Sequence, residues 1–232
     1  LTVTPLALAD GLARWDGRSE QAPADGHAIL FARSVAARLP ADLPDALALA
    51  VLDVCGAPAL TARLLDASPG LAVAVLGAAG KSGALTLAAA RRAGAGRIVG
   101  VVPHEAEAER LRASGLADEV RIADARDPLA LAGAVGEPVD LTVVCVDVPG
   151  CEGAALLATR NGGTVVFFSM ATSFAAAALG AEGLGADLRL LIGNGYVPGH
   201  ADLALDLFRT EPGVRALFEA RLAPEPAPEP AG

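Results

Sequence analysis

The chain has 232 residues, 53% of them apolar but only 3% aromatic, and a formal net charge of −9. That length supports one large domain with a real core, built from aliphatic layers rather than aromatic clusters. A sequence isoelectric point near 4.8 argues against nucleic acid as a partner, because such binding relies on lysines and arginines to neutralise phosphates.

The sequence begins at Leu1, without a methionine and in mid-pattern, so we expect an N-terminal portion ahead of it. "LTVTPL" and "HAILFA" are short strand-like pieces separated by the polar stretch 16–26. They cannot form a core alone, and residues 1–40 read as the tail of another domain. After "LPADLP" a helix is predicted from about Pro44, since proline suits the first helical turn. From residue 71 onward, β-type runs alternate with Ala/Leu-rich helical segments. Strands are predicted at 71–76, 97–102, 120–123, 141–146, 164–168 and 188–192, with helices at about 82–93, 105–114, 128–135, 151–160 and 175–181. Strands joined by helical crossovers imply a parallel sheet with helices on both faces. The run at 164–168 is continuously apolar, as a strand covered on both faces requires. The expected fold is α/β, a doubly wound Rossmann domain over residues 53–222. Residues 1–52 precede it as a remnant of a different domain with its connecting helix, and the Pro-rich "APEPAPEPAG" (223–232) follows as an extended, disordered tail.

Directly after the first of those strands stands "GAAGKSG" (77–83), with the only lysine of the chain, Lys81, inside it. A strand, a glycine loop and a helix start together make an anion site, because free N–H groups and the helix dipole point at the ligand. Two ligand classes compete. A phosphate-wrapping loop of the G-x-x-x-x-G-K-[ST] kind matches at Gly80, Lys81 and Ser82, but its first glycine would fall on Val75; Asp147, closing "LTVVCVD", would supply the magnesium-binding acid. A dinucleotide loop uses Gly77, Gly80 and Gly83, spaced three apart, although Ala79 replaces the middle glycine of the strict pattern. This second reading assigns Gly77, Ala78, Gly80, Lys81, Ser82, Gly83, Val146, Asp147 and Ser169 to the cofactor. A ribose-binding carboxylate is expected about 20 residues on, at the end of the second strand. The sequence there is "VGVVPHEAEAER", with Pro103 and His104 first and Glu105 late; no arginine follows immediately for a 2′-phosphate, and the reading leans to NAD.

The densest polar chemistry lies at the ends of the last two strands, where ligands bind in open α/β sheets. Ser169, Thr172 and Ser173 follow the fifth strand; Asn194, Tyr196 and His200 follow the sixth. The alternative is that "FSMATS" caps a helix and "GNGY" is an ordinary turn.

"ALAVLDVCGAPALTARLL", "VAVLGAAGKSGALTLAAARRAGAGRIVGVV", "VVFFSMATSFAAAALGAEGLGAD" and "GNGYVPGHA" together resemble the L-erythro-3,5-diaminohexanoate dehydrogenases, a family of the medium-chain dehydrogenase/reductase superfamily. The resemblance runs over residues 1–222. It implies NAD as cofactor, a β-rich GroES-like catalytic domain as the source of residues 1–52, a homo-oligomer, and a diamino acid substrate of lysine fermentation. The implied reaction is oxidative deamination at C3 of 3,5-diaminohexanoate, giving 5-amino-3-oxohexanoate and ammonia. Such a site must remove an ammonium proton. Asp53, Glu182 and His200 are the candidates for catalysis, and Thr172, Asn194 and Tyr196 for substrate binding. Asp53 could equally be a helix-surface charge, Glu182 a solvated loop charge, and His200 a helix-start hydrogen bonder.

Catalytic zinc, common in that superfamily, needs three converging protein ligands. Cys55, Cys145 and Cys151 lack any such grouping, and no metal is expected. Their odd number and the absence of CxxC spacing suggest a reducing compartment. The most apolar long window, 71–90, holds Lys81 and three glycines, a poor membrane span. We therefore expect a soluble, cytoplasmic protein that binds neither membrane nor nucleic acid. Two other functions fit the same residues: a quinone- or enoyl-reductase relative, and a catalytically incomplete nucleotide-binding module.

Overall fold

The computed structural model describes residues 6–18, 22–193 and 195–222. The expected tail at 223–232 and the first five residues lie outside them. The chain divides into two compact units, 1–49 and 50–232. In the first, β1 (Leu6–Leu8) and β2 (Gly26–Ala28) pair antiparallel, with Ala7 opposite His27. Much less of "HAILFA" is strand than its pattern suggests, because Ile29, Leu30 and Phe31 are more than half exposed. The helix α1 (Asp45–Asp53) follows Pro44 and crosses the boundary between the units.

The second unit contains β3 (Ala72–Leu76), β4 (Arg97–Val102), β5 (Glu119–Ile122), β6 (Val139–Val144), β7 (Thr159–Phe167) and β8 (Arg189–Ile192). They form one parallel sheet in the order β5-β4-β3-β6-β7-β8. Counted from β3, that order is 3-2-1-4-5-6, which places β3 and β6 at the point where the winding reverses. The central strands are apolar throughout: Val73 to Leu76 and Leu141, Val143 and Val144 are all at most 2% exposed, as covered parallel strands must be.

One face carries α2 (Gly56–Asp66), α3 (Lys81–Arg92), α4 (Glu105–Ser114), α8 (His200–Thr210) and α9 (Pro212–Leu222), which pack on one another. The other carries α5 (Pro128–Val135), α6 (Glu152–Ala158) and α7 (Phe174–Leu184). Local signals set the helix ends. Asp127 accepts the Ala130 N–H ahead of Pro128, Ser173 accepts the Ala176 N–H, and Gly115 and Gly185 close α4 and α7 in the left-handed region, which favours glycine. Phe208 and Phe218, both fully buried, stack edge-on at 5.5 Å to join α8 to α9.

Three helices, α2, α8 and α9, were not among the predicted elements. β7 also begins five residues before its expected start, and α6 ends two residues early. Thr159 pairs with Val139, the register shifts, and the pairing resumes at Leu141 with Thr164. Residues 161–163 fall between the predicted elements but lie within the strand.

Candidate dinucleotide site

The loop after β3 is shaped by close backbone approach. Gly77 has φ +78°, and a Cβ there would stand 3.1 Å from the backbone of Cys145 and Val146 after β6. At Gly83, in the first turn of α3, a Cβ would lie 2.2 Å from the Gly77 carbonyl oxygen and 2.8 Å from Ala78 Cα. Glycine is therefore required at one position by the turn and at the other by helix–loop packing. The Gly77 and Ala78 N–H groups both donate to Val101 O, and Gly80 N–H donates to Gly77 O. Ala78 is fully buried, so it forms a wall and offers no donor. The first α-helical bond at this end runs from Ala84 N–H to Gly80 O, and the amides ahead of it, at Lys81 to Gly83, form the anion-facing end of α3.

The polar side chains of the loop turn to partners. Lys81 Nζ lies 3.3 Å from Asp53 Oδ2 at the end of α1, with the lysine 13% exposed and the aspartate 67%. Ser82 Oγ donates to Cys145 Sγ at 3.4 Å, with Thr86 Oγ1 4.0 Å from the same sulfur. Burial pushes the Cys145 thiol up to about 11, so it stays protonated at neutral pH.

Beyond Gly77 a cavity of about 290 Å3 opens between the ends of β3, β4, β5 and β6, lined among others by Gly77, Pro103, His104, Asp124, Arg126 and Val146. It is close to the lower end of small-molecule pocket volumes, about 300–1,000 Å3, and suits one half of a dinucleotide. Asp124 and Arg126 form an ion pair in it: Arg126 Nη2 reaches Asp124 Oδ2 at 2.7 Å, and Arg126 Nε and its backbone N–H reach Oδ1 at 3.0 and 2.9 Å. These bonds hold the Asp124 carboxyl down at about 2. Sequence reasoning missed this pair because it sought the ribose-binding group after the second strand only; "IADARD" after the third strand carried the signal. Asp147, expected at the cofactor, is exposed beside Val146.

At the ends of β7 and β8 the polar residues divide. Ser169 Oγ accepts the Ala171 N–H, Thr172 N–H donates to Ser169 O, and Ser173 caps α7. This loop is tied down by Glu152, a carboxylate only 6% exposed that accepts the Ser173 N–H at 2.6 Å; its burial had no sequence signal. The segment after β8 crosses the start of α2, where a Cβ on Gly56 would lie 2.4 Å from Gly195 Cα. That contact lies next to Tyr196, whose ring meets that of His200 edge-on at 5.1 Å. His200 is the first residue of α8, its N–H bonded to Val197 O. Asn194 lies outside the described residues. Glu182 is not brought to this end: it sits exposed on the last turn of α7, and Asp187 just beyond pairs with Asn161 and Gly162 near the start of β7. Among the described residues no group of three or more His, Cys, Asp or Glu could hold a metal ion, and no single helix is long and apolar enough to cross a membrane.

A 3-2-1-4-5-6 parallel sheet, a glycine loop on its first strand and a cavity at its reversal define a Rossmann-type dinucleotide-binding domain. The crystal structure of AibC has this fold, at TM-score 0.58 and 26% identity over 79% of this chain and 59% of that one. Residues 1–40 match the model of the L-erythro-3,5-diaminohexanoate dehydrogenase N-terminal domain. The L-erythro-3,5-diaminohexanoate dehydrogenase of Acetoanaerobium sticklandii is 45% identical over 226 residues, and that of Fusobacterium nucleatum 40% over 225, each covering 94% of this chain. The chain spans 65% and 64% of the length of these relatives. Over 94% of its length the chain is thus similar to L-erythro-3,5-diaminohexanoate dehydrogenases.

Proposed function

We propose that the chain carries the coenzyme-binding part of an NAD-dependent amine dehydrogenase acting on L-erythro-3,5-diaminohexanoate. In the overall reaction the C3–H bond breaks with its electron pair, the C3 amine becomes an imine, and water releases 5-amino-3-oxohexanoate and ammonia. Bound in the crevice, the nicotinamide supplies the hydride acceptor. The observation that carries this reading is the glycine cradle at Gly77 and Gly83, where a side chain would strike the backbone of Cys145 and Val146 or of the loop itself, so that glycine alone permits the tight turn that presents the start of α3.

In this reading the first-turn amides of α3 hold the pyrophosphate, and Lys81 lends positive charge beside it. Asp53, exposed and joined to Lys81, is the acid–base candidate. Tyr196, His200 and Thr172 supply the substrate wall, with Ser169 and Val146 toward the nicotinamide; Asn194 keeps its expected role on the substrate. Residues 1–49 belong to the catalytic domain of that architecture, the assignment favoured by the match over residues 1–40. The magnesium-nucleotide alternative is disfavoured because the Ser82 hydroxyl, which would hold the metal, is spent on Cys145.

The test is a fluorescence titration of the chain with NADH and Mg-ATP, followed by an assay of NADH formation from 3,5-diaminohexanoate. Saturable NADH binding that Lys81→Ala weakens, together with diamine-dependent NADH formation, is expected. Binding of Mg-ATP in place of NADH overturns the reading.

A further inference from the structure

We infer that the Asp124–Arg126 ion pair after β5 selects between the two nicotinamide dinucleotides, offering a carboxylate to an unmodified ribose and withholding the arginine from a 2′-phosphate. This rests on the dinucleotide reading of the crevice. In Rossmann domains an acid after the second strand takes the ribose 2′-hydroxyl, or a nearby arginine accommodates the 2′-phosphate. Here β4 ends at Val102 and is followed by Pro103 and His104, so no carboxylate stands at that place and Pro103 lacks even a backbone donor. The same cavity nevertheless contains one acid and one arginine, contributed by the neighbouring strand's loop.

Their mutual geometry decides which of them is available. Three donor groups of Arg126, its backbone N–H, Nε and Nη2, are committed to the Asp124 carboxylate. An ionised carboxylate has about four lone-pair sites, and the three donors occupy them only because Nε is shared between Oδ1 at 3.0 Å and Oδ2 at 3.1 Å, so a ribose hydroxyl would be accepted at Oδ2 in place of the longer Nε branch. A phosphate monoester brings no donor when ionised and carries about −1.5 to −2 charge near pH 7. It would meet a carboxylate at short range and an arginine already neutralised by it. Both side chains are accessible from the cavity side, Asp124 at 47% and Arg126 at 64% exposure, so substitution leaves the core untouched. His104 adds a donor without a fixed charge-pair partner of its own in this group, and it acts on Asp124 electrostatically.

The experiment is a fluorescence titration of the chain and its variants with NADH and with NADPH, alongside a thermal melt of each. The unsubstituted chain is expected to favour NADH at least tenfold, about 1.4 kcal/mol. Asp124→Asn frees Arg126, and NADPH should then bind at least tenfold more tightly while NADH weakens. Adding Arg126→Ala to Asp124→Asn should erase the NADPH gain, with melting temperatures unchanged. An NADH/NADPH ratio that stays within twofold in Asp124→Asn, or an original preference for NADPH, overturns this inference and leaves the dinucleotide reading intact. Failure of the unsubstituted chain to bind either nucleotide overturns both.

Discussion

The same substitution, glycine to alanine, should have opposite effects in two helices of this domain. In an ordinary helix interior the change is stabilising by about 0.5–1 kcal/mol, because glycine loses more backbone entropy on folding. Gly133 in α5 meets this condition: a Cβ there has nothing within 4 Å. Gly83 in α3 does not, since its added carbon would overlap the Gly77 carbonyl oxygen at 2.2 Å. Both atoms of the clash are held by backbone, and Gly77 is further fixed by its bond to Val101 O, so the loop cannot yield without losing that bond. Overpacking of this kind costs about 1–3 kcal/mol, which exceeds the propensity gain. Gly83→Ala should therefore lower the melting temperature by about 2–8 °C, and Gly133→Ala should raise it by about 1–4 °C, at about 2–4 °C per kcal/mol for a domain of this size. NADH titration of the same two proteins separates packing from binding: Gly83→Ala should weaken NADH at least tenfold, and Gly133→Ala should leave it within twofold. A Gly83→Ala protein that melts as high as the original, or binds NADH equally well, would refute the account of the cradle.

Two further predictions concern groups inside the sheet–helix layers. Thr61 in α2 is fully buried, and its hydroxyl has no hydrogen-bond partner. Such a group costs about 1–3 kcal/mol, so Thr61→Val, of nearly the same shape, should raise the melting temperature; a fall would show that the hydroxyl is satisfied. The Cys145 and Cys151 thiols are both pushed from an ordinary 9.0 up to about 11, chiefly by desolvation. The folded state then keeps protons that the unfolded state releases, so stability is constant below about pH 9 and declines as pH rises toward about 11. Urea midpoints measured across that range should fall, and less steeply in Cys145→Ala; an unchanged slope in the variant would remove the thiol from the explanation.

The parts of the fold legible in sequence are those where local pattern and tertiary role coincide. β4, α4 and α5 fall where they are predicted, since each has an apolar run or a capped Ala/Leu pattern bounded by glycine, proline or an acid. α2 and α8 lack that punctuation. α2 starts at a glycine with a proline in its first turn, and α8 begins directly after the turn at Gly199, so the tertiary faces of α2, α3 and α8 define them more than their own ends do. The glycine cradle was legible because a glycine requirement shows in composition. Glu152 was not, because burial of a charge is a long-range fact; the Asp124–Arg126 pair is local in sequence, and only its place in the cavity beside β4 is long-range. Glu182 illustrates the converse: chain order places it after the fifth strand, but it lies eight residues into α7, and at about 1.5 Å per residue the helix carries it roughly 12 Å back toward the opposite end of the strands.

Lys81 is the residue on which sequence and structure bear most differently. In sequence it is the sign of a triphosphate-wrapping loop. A loop of that kind encloses its ligand with successive backbone amides and sends the lysine inward to the terminal phosphates. Here only four residues separate β3 from α3, and the amides of Gly77, Ala78 and Gly80 are already consumed by Val101 and Gly77. What remains is the first turn of α3, an anion site open on one side. That arrangement fits a pyrophosphate lying across the helix end better than a chain of three phosphates needing enclosure. The lysine, relieved of the ligand-wrapping task, bridges the loop to Asp53 and tethers the end of α1 beside the crevice. A lysine at this place therefore joins the start of α3 to the end of α1 through Asp53.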